Sequence, residues 1–337
     1  MTLESYIQML LPAIEDELRR VVNQTDKPEM EGLYHILAYH LGWEGDGVGG
    51  EAQGKRLRPM MVLLTTAAAG GQWERALPAA AAVELVHNFS LIHDDIEDNS
   101  PLRRGRSTIW KKWGVAQAIN AGDAMFTLAH LSLLRLEETM TAKLSLQAAH
   151  ILQETCLKLT QGQYMDIAYE SQMDLPIEAY WPMVSGKTAA LLSACTELGA
   201  LVAEVNKARR ESYRQFGYLL GLAFQAQDDL LGIWGDASLT GKSADSDLLT
   251  GKKTLPVLFG LNQKGLFAER WAKGSVTGSE VLPLATLLET EGARTYTQET
   301  TERLTQQALQ TLEKAEPAGE AGQALFDLAK RLLSRKT

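Results

Sequence analysis

Two aspartate pairs, each at the end of an apolar stretch, carry the clearest chemistry in this sequence. The first lies in HDDIEDNSPLRRGR at 93–106 and the second in FQAQDDLLGIWGD at 224–236. On a helix, Asp94 and Asp98 are one turn apart on a single face, whereas Asp95 points about 100° away. Carboxylates there need a counter-charge, and Mg²⁺ takes a few carboxylate oxygens together with waters and phosphates. One pair alone is as typical of a solvated helix end, but two pairs indicate divalent ions that hold a diphosphate.

Basic residues are the second set of candidates, because arginine forks suit phosphate oxygens and lysines act as point charges. Read singly, each is more typical of a surface charge. They cluster in GKRLRP, LRRGR, SGKT and two later GK elements, as Lys55, Arg56, Arg58, Arg103, Arg104, Arg106, Lys187, Lys242, Lys252 and Lys253. SGKT is not a P-loop, since Trp181 stands where that motif requires glycine.

Composition limits the class of protein. The 337 residues are 45% hydrophobic and 22% charged, and the net charge of −9 argues against a general nucleic-acid binder. Two cysteines, Cys156 and Cys195, fit buried reduced thiols better than a disulfide framework. Early acids and the lack of a long apolar run predict neither a signal peptide nor a membrane span. A cytoplasmic location is the default expectation.

Helical periodicity dominates the chain. Segments such as ESYRQFGYLLGLAFQAQDDLLGIWGD repeat apolar residues at three and four, and no strongly alternating strand pattern appears. Several helices are apolar around most of their circumference, as in AALLSACTELGALVAEV, which is typical of central helices in a large bundle. We therefore predict an all-α fold of ten or more helices, in a single domain over 1–337.

In this order, GKRLRP, HNFSLIHDDIEDNSPLRRGR, GQYMD, GKT, FQAQDDLLGIWGD and GKKTLP resemble the successive motifs of the trans-isoprenyl diphosphate synthases (polyprenyl synthetases). The resemblance covers roughly residues 30 to 335. It implies an all-α bundle around a deep central cavity, in a homodimer. It also implies a prenyltransferase reaction: an allylic diphosphate loses its diphosphate with Mg²⁺ help, and the double bond of isopentenyl diphosphate attacks the carbocation. Loss of a proton leaves a chain five carbons longer.

The resemblance also assigns roles to residues. About three Mg²⁺ ions are expected on Asp94, Asp98 and Asp228, with Asp95 and Asp229 in support. The residues expected to contact the allylic diphosphate are Arg103, Lys187, Lys242 and Lys252, assisted by Thr188 and Gln225. The residues expected to bind isopentenyl diphosphate, without metal, are Lys55, Arg58, His87 and Arg104, with Arg56 a weaker match. The catalytic set is then Asp94, Asp95, Asp98, Arg103, Lys187, Asp228 and Lys242.

One departure from the family pattern falls in the second acidic motif. Gly232 stands where many members carry a third aspartate. The resemblance assigns the metal mainly to Asp228, so we expect activity to survive, with Asp236 as a nearby substitute. The role of position 232 is thereby left open.

Product length is expected to depend on the helix before the first acidic motif. Phe89 lies five residues before Asp94, about 7.5 Å deeper along a helix, and its ring is a candidate floor for the product tail. Ser90 is small, and Met125 with Phe126 could form a second layer. From the residues alone, Phe89 fits a core aromatic better. The resemblance favours short-chain synthases that make the C20 product, geranylgeranyl diphosphate.

Several alternatives stay open at this stage. The product could be C15 or C25. A class I terpene cyclase shares the fold and an acidic motif but needs no basic site for isopentenyl diphosphate, and a head-to-head condensing enzyme of the squalene type is disfavoured for the same reason. A catalytically silent partner subunit typically loses an aspartate pair, and this chain keeps both.

Overall fold

The chain is almost entirely helical in the computed structural model, which describes residues 1–45, 47–172, 174–235 and 247–333. The α-helices up to the middle of the chain are α1 (Leu3–Val22), α2 (Glu31–His40), α3 (Gly50–Gln53), α4 (Leu57–Ala68), α5 (Leu77–Glu97), α6 (Ile109–Trp113), α7 (Val115–Leu134) and α8 (Ala142–Glu170). The later ones are α9 (Tyr180–Val184), α10 (Ala190–Val202), α11 (Lys207–Trp234), α12 (Asp247–Thr250), α13 (Leu255–Gln263), α14 (Leu266–Trp271), α15 (Val281–Thr290), α16 (Ala293–Lys314) and α17 (Gly319–Leu333). The prediction of an all-α fold with ten or more helices is confirmed.

Shorter elements complete the description. A two-stranded hairpin consists of β1 (Leu102–Arg103) and β2 (Arg106–Ser107). One turn of π-helix covers Ser185–Ala189, and 3₁₀ turns lie at Asn23–Thr25, Pro28–Met30, Trp73–Ala76, Arg135–Glu138, Ile177–Ala179 and Gly278–Glu280. Within the described residues, no helix is both long enough and apolar enough to cross a membrane.

The chain forms two compact units, each assembled from three separate segments. Unit 1 comprises Met1–Glu154, Ala194–Glu211 and Ala315–Leu325. Unit 2 comprises Thr155–Ser193, Ser212–Lys314 and Phe326–Thr337. The single domain over 1–337 stays a prediction.

Unit 1 is organised around α5, which packs against α1, α4 and α7. Pro78 lies in its first turn, where the missing N–H costs nothing. The run Ala79–Ala82 that follows is 0–1% exposed, and side chains this small let the neighbouring helices approach closely. α5 is therefore firmly held where it carries the first acidic motif, at its C-terminal end.

Unit 2 has its own apolar core, in which α13 packs on α16 and α14. The core cluster contains Leu248, Val257, Phe267, Trp271, Leu284, Ala285, Leu288 and Ala293. A Cβ on Gly260 would collide with the Leu288 side chain, so glycine is what lets α13 and α15 meet. This packing fixes Leu255, at the start of α13, and with it the backbone N–H that reaches the second acidic motif.

The two cysteines are buried and unpaired, as predicted. Cys156 is 7% exposed and lies in unit 2, whereas Cys195 is fully buried and lies in unit 1. Burial raises the pKa of each thiol to about 12, because the thiolate would lose its hydration. Neither thiol is therefore ionised near neutral pH.

Candidate active site

The first acidic motif occupies the last turn of α5. Asp98 is the C-cap, and its N–H donates to the carbonyl of Asp94 over 2.8 Å, so the two acids are one helical turn apart as predicted. Asp94 is half-buried and Asp98 is exposed, which leaves both carboxylates near the surface of unit 1. Their shared face is a consequence of helical spacing alone.

Asp95 points elsewhere and has a different environment. It is 2% exposed, and its Oδ1 accepts from Nε and Nη2 of Arg103, both at 2.8 Å. Burial raises the pKa of Asp95, and the Arg103 guanidinium partly opposes that rise. Asp95 therefore ties the arginine-bearing hairpin to the end of α5.

The second acidic motif, near the end of α11 in unit 2, also combines a more accessible aspartate with a buried one. Asp228 is half-buried, whereas Asp229 is 3% exposed. Asp229 accepts hydrogen bonds from the Tyr180 hydroxyl (2.8 Å), the Leu255 N–H (2.9 Å) and Gln225 Nε2 (2.9 Å). Burial raises its pKa to about 7 in spite of these donors. In both pairs, the second aspartate is a buried anchor for its surroundings.

Thr188 and Gln225 bond to each other instead of standing separately. The Thr188 hydroxyl donates to Gln225 Oε1 over 2.7 Å, and Gln225 in turn donates to Asp229. These two hydrogen bonds connect the π-helical turn at Ser185–Ala189 to the second acidic motif within unit 2. π-Helical turns are frequent at functional sites.

Two of the predicted lysines meet on a carboxylate that the sequence analysis did not single out. Asp166, 8% exposed on α8, accepts from Nζ of Lys187 and from Nζ of Lys252, the latter at 3.4 Å. Burial acts to raise the pKa of Asp166, but the two lysines outweigh it and hold the pKa below its usual value. Lys242 and Asp236 lie outside the described residues.

Glycines explain how Asp166 reaches Lys187. A Cβ on Gly162 would collide with the backbone of Lys187, and a Cβ on Gly186 would collide with the carbonyl of Lys158. Gly162 and Asp166 are four residues apart, hence on one face of α8. That spacing within GQYMD is the signal that could have identified Asp166.

Gly232 is also explained by a close approach. The carboxylate of Asp247 lies against Gly232, so that a Cβ there would collide with Oδ2. Asp247, at the start of α12, thus brings a carboxylate to the position that lacks an acidic side chain.

Several arginines of unit 1 act electrostatically on His87. Burial lowers the pKa of His87 well below 6.5, and Arg58, Arg104 and Arg103 lower it further by repulsion. Arg58 Nε is buried without a hydrogen-bond partner among the described residues, and burial lowers the pKa of this guanidinium. Lys55 is exposed at the edge of the same motif. Clustered like charges are unfavourable unless an anion joins them.

Arg56 plays a different part from Arg58 in the same GKRLRP motif. Its side chain is fully buried, and it donates to Glu15 (2.7 Å), Glu84 (2.9 Å) and the carbonyl of Leu41 (3.0 Å). All three nitrogens are therefore satisfied by the protein. The structure makes Arg56 a packing residue.

The candidate chain-length residue lies in a row of four rings between α5 and α7. Phe89 packs edge-on against His93 and Phe126, each at 5.1 Å between centroids, and Phe126 packs against His130 at 4.5 Å. Ser90 donates to the carbonyl of His87. The ring of Phe89 is consequently held in place by neighbours on both sides.

The described part of the chain contains no group of three or more acidic, histidine or cysteine side chains arranged to hold a metal ion. The donor chemistry nevertheless fits Mg²⁺, because this ion prefers oxygen ligands and completes its shell with waters and substrate phosphates. Asp94 and Asp98 offer two carboxylates on one helix face. These two carboxylates suit an ion whose remaining ligands are waters and the phosphate oxygens of the substrate.

Comparison with known proteins identifies the family. A sequence model of the polyprenyl synthetase family matches residues 50–275. The (2E,6E)-farnesyl diphosphate synthase of Mycobacterium tuberculosis is 38% identical, covering 96% of this chain and 90% of that protein. The geranylgeranyl diphosphate synthase of the same organism is 39% identical, covering 88% and 85%.

A solved structure gives the same result. The polyprenyl synthase from Caulobacter crescentus, complexed with calcium and isoprenyl diphosphate, has a TM-score of 0.83 and 28% identity, covering 99% of this chain and 98% of that one. The chain belongs to the polyprenyl synthetase family. It is a trans-prenyl diphosphate synthase of the short-chain type, a prenyltransferase that uses isoprenyl diphosphates. The family resemblance and the enzyme class predicted from the motifs are confirmed.

Proposed function

We propose that the protein condenses an allylic diphosphate with isopentenyl diphosphate, head to tail, and releases geranylgeranyl diphosphate. The observation that carries this proposal is the cation group of Arg58 and Arg104 beside the neutral imidazole of His87 in unit 1. No carboxylate of the acidic motifs is needed to bind a diphosphate there. A terpene cyclase requires a single diphosphate site with metal, so a separate cation group favours condensation of two substrates.

The roles follow from charge. Ionising the allylic C–O bond builds negative charge on the leaving diphosphate, which Arg103, Lys187, Lys242 and Lys252 would bind and stabilise. Mg²⁺, about three ions on Asp94, Asp98 and Asp228, would supply further neutralisation of that charge. Asp247 is a further candidate, in place of the side chain missing at position 232.

The second substrate needs only binding and orientation. Lys55, Arg58, His87 and Arg104 would hold its diphosphate, leaving its double bond to attack the allylic cation. No protein nucleophile is required, and the proton lost at the end can pass to the released diphosphate. Water must be kept out, since it would convert the cation to an alcohol.

One incubation tests the reaction. Purified protein is supplied with Mg²⁺, isopentenyl diphosphate and a C5, C10 or C15 allylic primer, and the products are identified by mass spectrometry. Chain-extended diphosphates ending at C20 support the proposal, and a C15 or C25 end point corrects the length. Cyclic hydrocarbons would indicate a cyclase, and no turnover would indicate a silent partner subunit.

Replacing Phe89 by alanine is expected to lengthen the main product by at least one five-carbon unit. The change removes the ring that packs between His93 and Phe126, so a growing tail could pass that level. Product lengths are compared by chromatography under identical conditions. Ser90→Ala is the matched control, because it keeps a small side chain next to Phe89 and should leave the distribution unchanged. An unaltered distribution in Phe89→Ala would refute the floor.

Binding of isopentenyl diphosphate is expected to take up protons through His87. Because its pKa is held well below 6.5 in the free protein, this imidazole is neutral at pH 7. An adjacent diphosphate favours the charged form and raises that pKa, so binding should tighten as the pH falls. Calorimetry in buffers of different ionisation enthalpy, without Mg²⁺, measures the protons taken up. His87→Gln should take up fewer, and equal uptake would contradict this role.

We also propose that two copies of the chain associate through α7. This helix leaves Val115, Ile119, Leu131 and Leu134 between 44% and 51% exposed, and apolar side chains left exposed on one element mark candidate interaction surfaces. Sedimentation equilibrium should give twice the 37.0 kDa mass of the chain.

A cytoplasmic location stays a prediction, which cell fractionation would check.

A further inference from the structure

The hairpin that carries Arg103 and Arg104 has an unusual turn. Its strands pair Arg103 with Arg106 and Leu102 with Ser107, which leaves Arg104 and Gly105 as the two turn residues. Both have positive φ, +53° and +74°. Such turns strongly prefer Asn-Gly or Gly-Gly. An arginine at the first position is therefore strained, and residues kept in strained conformations cluster at functional sites.

A first set of contacts holds Arg103 and Arg104, the two arginines of the hairpin that are proposed to bind substrate. Arg103 is paired with Asp95, as described above, and Arg104 Nη1 donates to the carbonyl of Ala52 over 3.0 Å. A Cβ on Gly54, which has φ +75°, would lie 2.7 Å from Arg104 Nη2. The Arg104 guanidinium thus rests directly on the backbone of the loop before α4.

A second set of contacts holds the other strand, between Tyr39 at the end of α2 and Arg106. Arg106 Nη1 donates to the Tyr39 carbonyl (2.9 Å) and Nη2 to the Glu44 carbonyl (2.5 Å), while its guanidinium lies 3.9 Å above the Tyr39 ring. The Tyr39 hydroxyl donates to the Ser107 carbonyl over 2.9 Å. We call this arrangement the Tyr39–Arg106 clasp.

The neighbouring residues pack closely around Tyr39 and Arg106. Tyr39 is 9% exposed, and its ring also meets Lys112 Nζ at 4.2 Å and the edge of Trp113 at 5.0 Å. A Cβ on Gly45, which has φ +85°, would lie 2.7 Å from the Tyr39 ring and 2.9 Å from Arg106 Nη2. Glycine is thus required at 45 for both backbone and packing. Both terminal nitrogens of Arg106 donate to backbone carbonyls, whereas its Nε is buried without a hydrogen-bond partner among the described residues. The bonds to the carbonyls hold this guanidinium against the end of α2.

We infer that the Tyr39–Arg106 clasp is a positioning device for the isopentenyl diphosphate site, an inference that rests on the proposed function of Arg104. The clasp holds β2, and β2 holds the strained turn that brings Arg104 into the cation group. Without it, the turn relaxes and Arg104 must be reordered each time the substrate binds. Pre-organisation of this kind acts on affinity, and small displacements of positioning groups cost up to about 100-fold.

The test replaces Arg106 by lysine, which keeps the charge but cannot bond two carbonyls while lying flat on a ring. We expect KM for isopentenyl diphosphate to rise about tenfold, with kcat within about twofold of the original. Tyr39→Phe, which loses only the bond to Ser107, should raise KM less. The matched control is Arg75→Lys, since Arg75 also donates to a distant carbonyl, that of Thr139, and its KM should not change.

A direct binding measurement distinguishes a failure of the clasp from a failure of the proposed function. Calorimetric titration of isopentenyl diphosphate without Mg²⁺ should give about tenfold weaker binding in Arg106→Lys than in Arg75→Lys. If the original chain binds this ligand but extends no primer, the proposed function fails and the clasp is still tested. An unchanged KM and affinity in folded Arg106→Lys would overturn the clasp. If that variant does not unfold cooperatively, unchanged values in Tyr39→Phe overturn it instead.

Discussion

Asparagine in place of Asp94 is expected to lower kcat by about 10²–10³-fold, the usual cost of losing one group that stabilises charge in the transition state. The change keeps the size and the helical position of the side chain but removes the anionic oxygen that would bind Mg²⁺. Steady-state turnover is measured over a range of Mg²⁺ concentrations. The concentration needed for half-maximal activity should rise as well, because the remaining carboxylates bind the ion more weakly.

The matched control for Asp94→Asn is Glu97→Gln. Glu97 lies in the same last turn of α5, is exposed, and undergoes the same change from carboxylate to amide. Its kcat should stay within about twofold of the original, because it has no assigned metal or substrate contact. An equal loss in both variants would mean that total negative charge on this turn matters, and would remove Asp94 from the metal site.

Methionine in place of Arg56 is expected to destabilise the protein by about 3–5 kcal/mol, whereas Arg58→Met should leave stability nearly unchanged. Arg56 is the common partner of Glu15 and Glu84, and Glu84 is only 3% exposed. Removing the arginine leaves that carboxylate buried without its ion pair. Arg58, by contrast, has a buried Nε with no hydrogen-bond partner among the described residues, so methionine relieves a cost.

Urea unfolding measures the stability of both variants, and steady-state kinetics measures how well each one binds its substrates. Arg56→Met should lower the unfolding midpoint with little change in slope. Arg58→Met should instead raise KM for isopentenyl diphosphate, because one charge of the cation group is lost. If Arg58→Met proved the less stable variant, the assignment of packing and binding roles within GKRLRP would be reversed.

Local spacing made part of this site predictable from the sequence. Asp94 and Asp98 share a helix face because four residues make about one turn, and no distant contact changes that. The same reasoning put Asp95 on a different face from Asp94, and the structure buries Asp95. Asp229 is buried in the same way, although the spacing argument was made only for the first pair. Short-range periodicity also sufficed for the helices, since apolar residues at three and four dominate the chain.

Contacts between distant parts of the chain were not predictable in this way. By residue type alone, Arg56 and Arg58 are indistinguishable in GKRLRP, although the family resemblance ranks Arg56 lower. The physical difference arises only when Glu15, 41 residues earlier, and Glu84, 28 residues later, come to lie beside Arg56. The spacing of Gly162 and Asp166 in GQYMD marks a helix face, but the partner of Asp166 is set only by the contact of α8 with Lys187, 21 residues away. Likewise, Tyr39 reaches Ser107 across 68 residues. Side-chain identity determines what such residues can do, but tertiary packing selects which of them do it.

The two buried thiols offer a means of following each unit on its own. Cys156 belongs to unit 2 and Cys195 to unit 1, and both have a pKa of about 12 that prevents reaction in the folded state. An alkylating reagent can modify either one only after its surroundings open and the thiol regains its ordinary acidity. The labelling rate at each cysteine, read by peptide mass, therefore reports the opening free energy of one unit. Substrates that tighten one unit more than the other would slow one rate selectively.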